Sequence, residues 1–128
     1  TIRHTGNQVH LLGFRTDVIE LLKASDCFIF PSLREGLPVA LMEAMVCGLP
    51  VICSAIRGNC DMVTENINGY HIYHPSDINE ICSKMVKMQN NALAIIKNLS
   101  NQNIKDSIKF DIVLITKKMR EIYGWVMM

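Results

Sequence analysis

An α/β fold is what this sequence predicts: part of a doubly wound parallel sheet with helices on both faces. Three observations lead there. The runs Cys27-Phe28-Ile29-Phe30 and Pro50-Val51-Ile52-Cys53 are apolar without alternation, as strands buried on both faces are. Segments with apolar residues at helical spacing lie between and after them. Strand and helix candidates alternate at short intervals, which calls for parallel strands joined by crossovers. Only three or four strands are visible, fewer than a complete doubly wound domain carries, so the chain reads as its back portion.

The elements follow in order. Val9-His10-Leu11-Leu12, ended by Gly13, reads as a short strand. Thr16 or Asp17 then caps a helix with Val18, Ile19, Leu21 and Leu22 on one side, ending near Ser25. The strand Cys27–Phe30 is stopped by Pro31, and a loop leads to Pro38, which suits the first position of a helix. That helix runs to about Val46 and closes on Gly48. After the strand Pro50–Cys53, a short helix is expected from Gly58-Asn59 through Met62-Val63, then a strand over Gly69–Tyr73. Asp77 and Glu80 form a variant capping box for a helix whose inner face holds Ile78, Ile81, Cys82, Met85 and Met88. Residues 89–109 are polar and Asn-rich and carry one further helix with loops. Asp111 caps a last amphipathic helix with Ile112, Ile115, Met119, Ile122 and Tyr123 at helical spacing. The chain is one domain, residues 1–110 forming its ligand-binding portion and 111–128 its terminal helix.

With 128 residues, 49% of them hydrophobic and 20% charged, the composition is that of a single globular core. A net charge of +1 gives no footprint for nucleic acid. The longest apolar stretch, Leu37 to Cys47, is broken by Pro38 and Glu43, so no transmembrane segment is expected. Thr1–Gly6 lacks the apolar core of a signal peptide. Five cysteines without CxxC spacing point to a reducing, cytoplasmic setting and against zinc. His71 and His74 fall on opposite faces of an expected strand, so they do not form a metal pair. The methionines fill core gaps, and Lys117, Lys118 and Arg120 form a solvated face. No G-x-S-x-G elbow suggests a hydrolase.

"REGLPVALMEAM", residues 34–45, holds two carboxylates, Glu35 and Glu43, separated by apolar residues, Gly and Pro. In open parallel sheets ligands bind where the strand-to-helix loops gather, and residues 31–38 are such a loop. The amides of Gly36, Leu37, Val39 and Ala40 open the following helix and form an anion site suited to phosphate. Glu43 lies about 7–8 Å further along the helix axis than Pro38. Carboxylates accept hydrogen bonds from hydroxyls and repel phosphate, so the two flank an anion turn as hydroxyl acceptors. A nucleotide-sugar, with ribose, pyrophosphate and hexose in series, fits that order. A solvated helix face for Glu43 and a plain turn at Gly36-Leu37-Pro38 stay open as alternatives from spacing alone.

The stretch from Val9 to about Asp77 resembles the C-terminal domain of glycosyltransferases built from two Rossmann-like domains (the GT-B fold, retaining family 4). The residues that carry the resemblance are "VHLLGFRTDVIELLKASDCFIFPSLREGLPVALMEAMVCGLPVICSAIRGN", "VTENINGYHI" and "HPSDINEI". The E-x7-E pair, preceded by Pro31-Ser32 and followed by Ala44-x-x-Cys47-Gly48-x-Pro50-Val51, is specific in this combination. "EGLPVALMEA" with "IRGN" is similar to bacterial capsular and exopolysaccharide enzymes. The resemblance implies that Glu43 binds the donor ribose and that Glu35 contacts and orients the transferred sugar as the catalytic residue. It implies that amides at Gly36, Leu37, Val39 and Ala40 hold the pyrophosphate. Gly13, Phe14 and Arg15 would border the base, with Ser32 near the nucleotide. The donor would be UDP- or GDP-linked, the reaction retaining and metal-independent with no cofactor, and the acceptor a glycan or lipid-linked sugar reached through an N-terminal domain. The location implied is cytoplasmic, or peripheral at the inner membrane face. Pro38 stands where many relatives have Gly, and the basic residues that grip the diphosphate have no counterpart in the chain. The isolated chain is therefore expected not to be competent, and a non-catalytic nucleotide-binding or structural α/β module is the alternative.

Overall fold

A computed structural model describes the backbone of residues 9–126 and the side chains of residues 9–124. Three strands, β1 (Phe28–Phe30), β2 (Val51–Ser54) and β3 (Gly69–Ile72), form one parallel sheet in the order β1-β2-β3. Phe28 pairs with Val51, and Val51 with Gly69, so the three strands start level and their carboxyl ends open on one edge.

Both faces of the sheet are covered, as the apolar runs predict. Val51 and Cys53 of β2 point to one side, where Leu22 of α1 (Val18–Lys23) and Leu41, Ala44 and Met45 of α2 (Val39–Val46) bury them. Ile52, Tyr70 and Ile72 point to the other, against Met88 and Ile81 of α3 (Ile78–Gln89). Tyr70 is fixed there at its rim: Asn91 donates to its hydroxyl at 2.7 Å, and the Lys87 ammonium sits 4.1 Å from the ring centroid. α4 (Leu93–Ser107) crosses below the sheet. Its buried Asn103 donates to the carbonyls of Leu49 and Asn68, each at 2.8 Å, and so joins the residues just ahead of β2 and β3. A 3₁₀ turn (Ile108–Phe110) leads to α5 (Ile112–Val126), which packs on that turn and little else.

α2 ends as expected. Gly48 has φ +75°, its amide donates to Met45, and the Leu49 amide reaches back to Ala44, the two bonds of a Schellman cap. Pro38 is the N-cap of α2, with Val39 the first helical residue.

Several expectations fail, each for a physical reason. Val9–Leu12 is not a strand: among the described residues it has no neighbour to complete a ladder, and it lies exposed. Residues 57–62 form successive turns instead of a helix, because Gly58 at φ +90° breaks helical geometry and the Asn59 carbonyl takes both the Met62 and Val63 amides. Asp17 is the N-cap of α1 but caps nothing with its side chain, which Arg15 holds instead. β1 is only partly buried, since among the described residues it is an edge strand. On α3, Met88 is buried and Ile81 partly so, whereas Ile78, Cys82 and Met85 are exposed. Cys82 and Met85 border an open apolar groove beside β1, also lined by Cys27, Ile29 and Ile52. α5 forms with the expected spacing, yet Ile112, Ile115, Met119, Ile122 and Tyr123 are all exposed. The Trp125 side chain and the opening Thr1–Gly6 lie outside the described residues.

Candidate donor site

The loops that follow β1 and β2 meet at the carboxyl edge of the sheet. Ser54, the last residue of β2, donates its hydroxyl to the Phe30 carbonyl at 3.4 Å, tying the two strand ends. Beyond them, Gly58 lies against the β1 loop: a Cβ there would stand 2.9 Å from the Gly36 carbonyl and 3.3 Å from that of Glu35. The site is therefore a pair of touching loops, residues 31–38 and 55–59, with α2 rising from the first.

Glu35 is half-buried and held. Ser32, three residues earlier, donates its hydroxyl to the carboxylate at 2.7 Å, which fixes the loop's turn and the direction of the side chain. Glu43, on the second turn of α2, is half-buried, and its carboxylate has no hydrogen-bond or ion-pair partner among the described residues. Its neighbours Leu41, Ala44 and Met45 are fully buried, so the carboxylate sits at the margin of the core with its acceptor capacity unused.

The amides at the start of α2 divide unevenly. Val39 donates to the Leu37 carbonyl at 3.0 Å, so of the expected pyrophosphate donors this one is already engaged. Those of Gly36, Leu37 and Ala40 have no backbone acceptor among the described residues, and neither does Leu41, which sequence reasoning passed over. Leu41 was hidden by its role as a core side chain, although its N–H belongs to the open first turn.

Gly13, Phe14 and Arg15 make no hydrogen bond to residues 31–38 or 55–59 among the described residues. They lie in an exposed stretch, Phe14 95% exposed. The Arg15 guanidinium grips the Asp17 carboxylate through Nε at 2.7 Å and a second bond. That pairing raises the guanidinium and lowers the carboxyl from their ordinary values.

Other chemistry-bearing residues are structural. His71 is buried in β3 with its Nε2 3.0 Å from the Val63 carbonyl, while His74 is exposed beside Glu80. The five cysteines are free. Burial pushes the Cys27 thiol up to about 11, aided by the Asp26 charge. It pushes Cys53 up to about 12, aided by Cys60 and Glu65, so neither offers a thiolate nucleophile near neutral pH. Among the described residues no group of three or more His, Cys, Asp or Glu could hold a metal ion, and no helix is long and apolar enough to cross a membrane.

An open parallel sheet with an amide-rich turn and an acidic pair at its carboxyl edge defines a Rossmann-like ligand-binding module. The chain belongs to the family described as glycosyl transferases group 1, whose model matches residues 2–109. Over 115 residues it is 36% identical to the UDP-Gal:alpha-D-GlcNAc-diphosphoundecaprenol alpha-1,3-galactosyltransferase of Escherichia coli, covering 88% of this chain and 29% of that protein. It is 29% identical over 120 residues to the N,N'-diacetylbacillosaminyl-diphospho-undecaprenol alpha-1,3-N-acetylgalactosaminyltransferase of Campylobacter jejuni, covering 92% of this chain and 31% of that protein. The chain thus spans about a third of the relatives it matches. Anabaena Alr3699/HepE, solved in complex with UDP and glucose, superimposes with a TM-score of 0.85 at 26% identity over 93% of this chain and 32% of that one. The fold is that of part of a GT-B glycosyltransferase.

Proposed function

We propose that this chain is the donor-binding part of a retaining glycosyltransferase, which moves a hexosyl group from a nucleotide-sugar to a glycan or lipid-linked acceptor in polysaccharide biosynthesis. The observation that carries the reading is Glu43: a half-buried carboxylate without a partner, on a helix whose first-turn amides at Ala40 and Leu41 are also unused. A vicinal diol supplies the donors Glu43 lacks, so the ribose belongs there. The pyrophosphate then falls at the amides of Gly36, Leu37, Ala40 and Leu41, where the helix terminus takes up charge as the diphosphate departs. Glu35, steadied by Ser32, receives the sugar hydroxyls and sets the anomeric carbon toward the acceptor.

The Escherichia coli relative is named for UDP-galactose and a diphosphoundecaprenol-linked acceptor, and the Anabaena structure holds UDP. These favour a UDP-linked donor over GDP, a lipid-linked acceptor and work at the inner face of the membrane. Phosphate charge is met by protein groups, without a metal. Acceptor binding and the transfer itself belong to the whole polypeptide.

Calorimetric titration with UDP, GDP and ADP, repeated on Glu43→Ala, tests the reading. UDP is expected to bind selectively, and the variant to bind it about 10- to 100-fold more weakly, the worth of hydrogen bonds to a charged acceptor. Equal binding by the variant would remove the ribose from Glu43. No binding by the chain or the intact gene product would reject a donor site altogether. Binding without transfer by the intact product would leave a nucleotide-binding module.

A further inference from the structure

We infer that the Gly58-Asn59 turn positions Glu35 and Gly36, and so tunes the step that depends on the donor's sugar; the inference rests on the donor-site reading. Gly58 is buried, has φ +90°, and packs its Cα side onto the Gly36 and Glu35 carbonyls. Every L-residue with a Cβ meets two obstacles there. Its backbone is held in the left-handed region, and its Cβ lies 2.9 Å from a backbone oxygen that cannot swing away as a side chain could. The β1 loop must move to admit it. That movement is delivered to Glu35 and Gly36, while the Pro38 ring, 3.5 Å from the same Cβ, stays at ordinary contact.

The turn that presents Gly58 is itself fastened. Asn59 is fully buried and donates its amide to the Ser54 carbonyl at 3.0 Å, the oxygen that also takes the Ile56 amide at 2.9 Å. Ser54 in turn bonds the Phe30 carbonyl at the head of the β1 loop. A closed circuit results: Phe30 to Ser54, Ser54 to Asn59, Gly58 to Gly36. Glu43 is outside it, because α2 is anchored by its own buried face and its Schellman cap. Displacing the circuit therefore misplaces the sugar-facing carboxylate and spares the ribose-facing one. Among the described residues, Asn59 Oδ1 is buried without a partner, so the amide's bond to the Ser54 carbonyl is the hydrogen bond its side chain makes there.

The test compares UDP with UDP-hexose on the intact gene product, wild type against Gly58→Ala and Asn59→Ala, with Gly124→Ala as a control whose added Cβ meets nothing within 4 Å. Gly58→Ala is expected to lower kcat by about tenfold or more, since displacements near 1 Å have such effects. UDP should lose only the share of its diphosphate contact that the Gly36 amide supplies, keeping the ribose at Glu43, so UDP-hexose affinity should fall further than UDP affinity and the ratio of the two should drop. Asn59→Ala should shift the same ratio in the same direction by less, and it decides the matter should Gly58→Ala not fold. Unchanged sugar-dependence in both variants, with wild type active, overturns the positioning role alone. Equal loss of UDP and UDP-hexose together with a lowered Tm overturns it too, as a merely structural effect. A wild type that binds neither ligand overturns this inference together with the donor-site reading.

Discussion

Asn103 shows how one side chain serves two strands. Its amide nitrogen donates to the carbonyls of Leu49 and Asn68, both buried residues. Asn68 repeats the device nearby: it accepts from the Thr64 amide at 2.7 Å and donates to the Met62 carbonyl at 2.9 Å. Removing such a group leaves buried acceptors unpaired and opens a small void. Asn103→Ala is expected to lower the unfolding free energy by about 2–4 kcal/mol, read by urea denaturation, with the slope unchanged. Asn103 could not be singled out from the sequence, where residues 89–109 look merely polar. Its partners lie 35 and 54 residues away, and no local pattern records such a bond. Gly58 was visible as a glycine beside an asparagine but read as a helix start; only the opposing loop reveals why a Cβ is excluded.

At the scale of elements, α3 carries a junction that extends the expected capping box. Asp77 accepts from the Asn79 and Glu80 amides, as an N-cap does. Glu80 does not return to the Asp77 amide, which donates to His74. It reaches instead to the Tyr73 amide at 2.7 Å and the His74 amide at 2.8 Å, linking the end of β3 to the start of α3. The Tyr73 amide is the main cause that lowers the Glu80 carboxyl below its ordinary 4.5, with the His74 amide and ring adding to it. A carboxyl lowered in the folded state stabilises above its unfolded value and loses that contribution as pH falls through the folded one. Stability should therefore drop on acidification from about pH 4.5 downward, and Glu80→Gln should flatten that part of the profile in a thermal-melt series. The sheet, α2 with its cap, and α3 were legible because apolar runs, a Pro–Gly frame and an acidic cap are local signals. Val9–Leu12 misled because the pattern of a strand says nothing about whether a neighbour is present to pair with it. Glu35, Ser32 and Glu43 stood out in sequence and lie on one loop and its helix, whereas Gly13, Phe14 and Arg15 lie in an exposed stretch without a hydrogen bond to that loop among the described residues.

The molecule as a whole is a sheet with one tight end and one open end, to which α5 is appended. α5 adds little to the core: Ile112 is 72% exposed and Val113 70%. Truncation after Asp111 is accordingly expected to shift the unfolding free energy by less than about 1 kcal/mol and to leave UDP binding unchanged, measured by urea titration and calorimetry. The two ends of the sheet differ in kind. At the amino ends of β2 and β3, Asn103 bolts neighbouring segments to a helix. At the carboxyl ends, the links from one loop to the next run from Ser54 to Phe30 at 3.4 Å, from the Ala55 amide to the Ile72 carbonyl at 2.7 Å, and through the press of Gly58 on Gly36. A fan pinned at its base can spread only at its rim, and the amplitude of any such breathing grows with distance from the pin. The rim here is where Glu35 and Gly36 sit, so a ligand spanning the loops would be the second pin, and its grip would be felt least where Asn103 already holds.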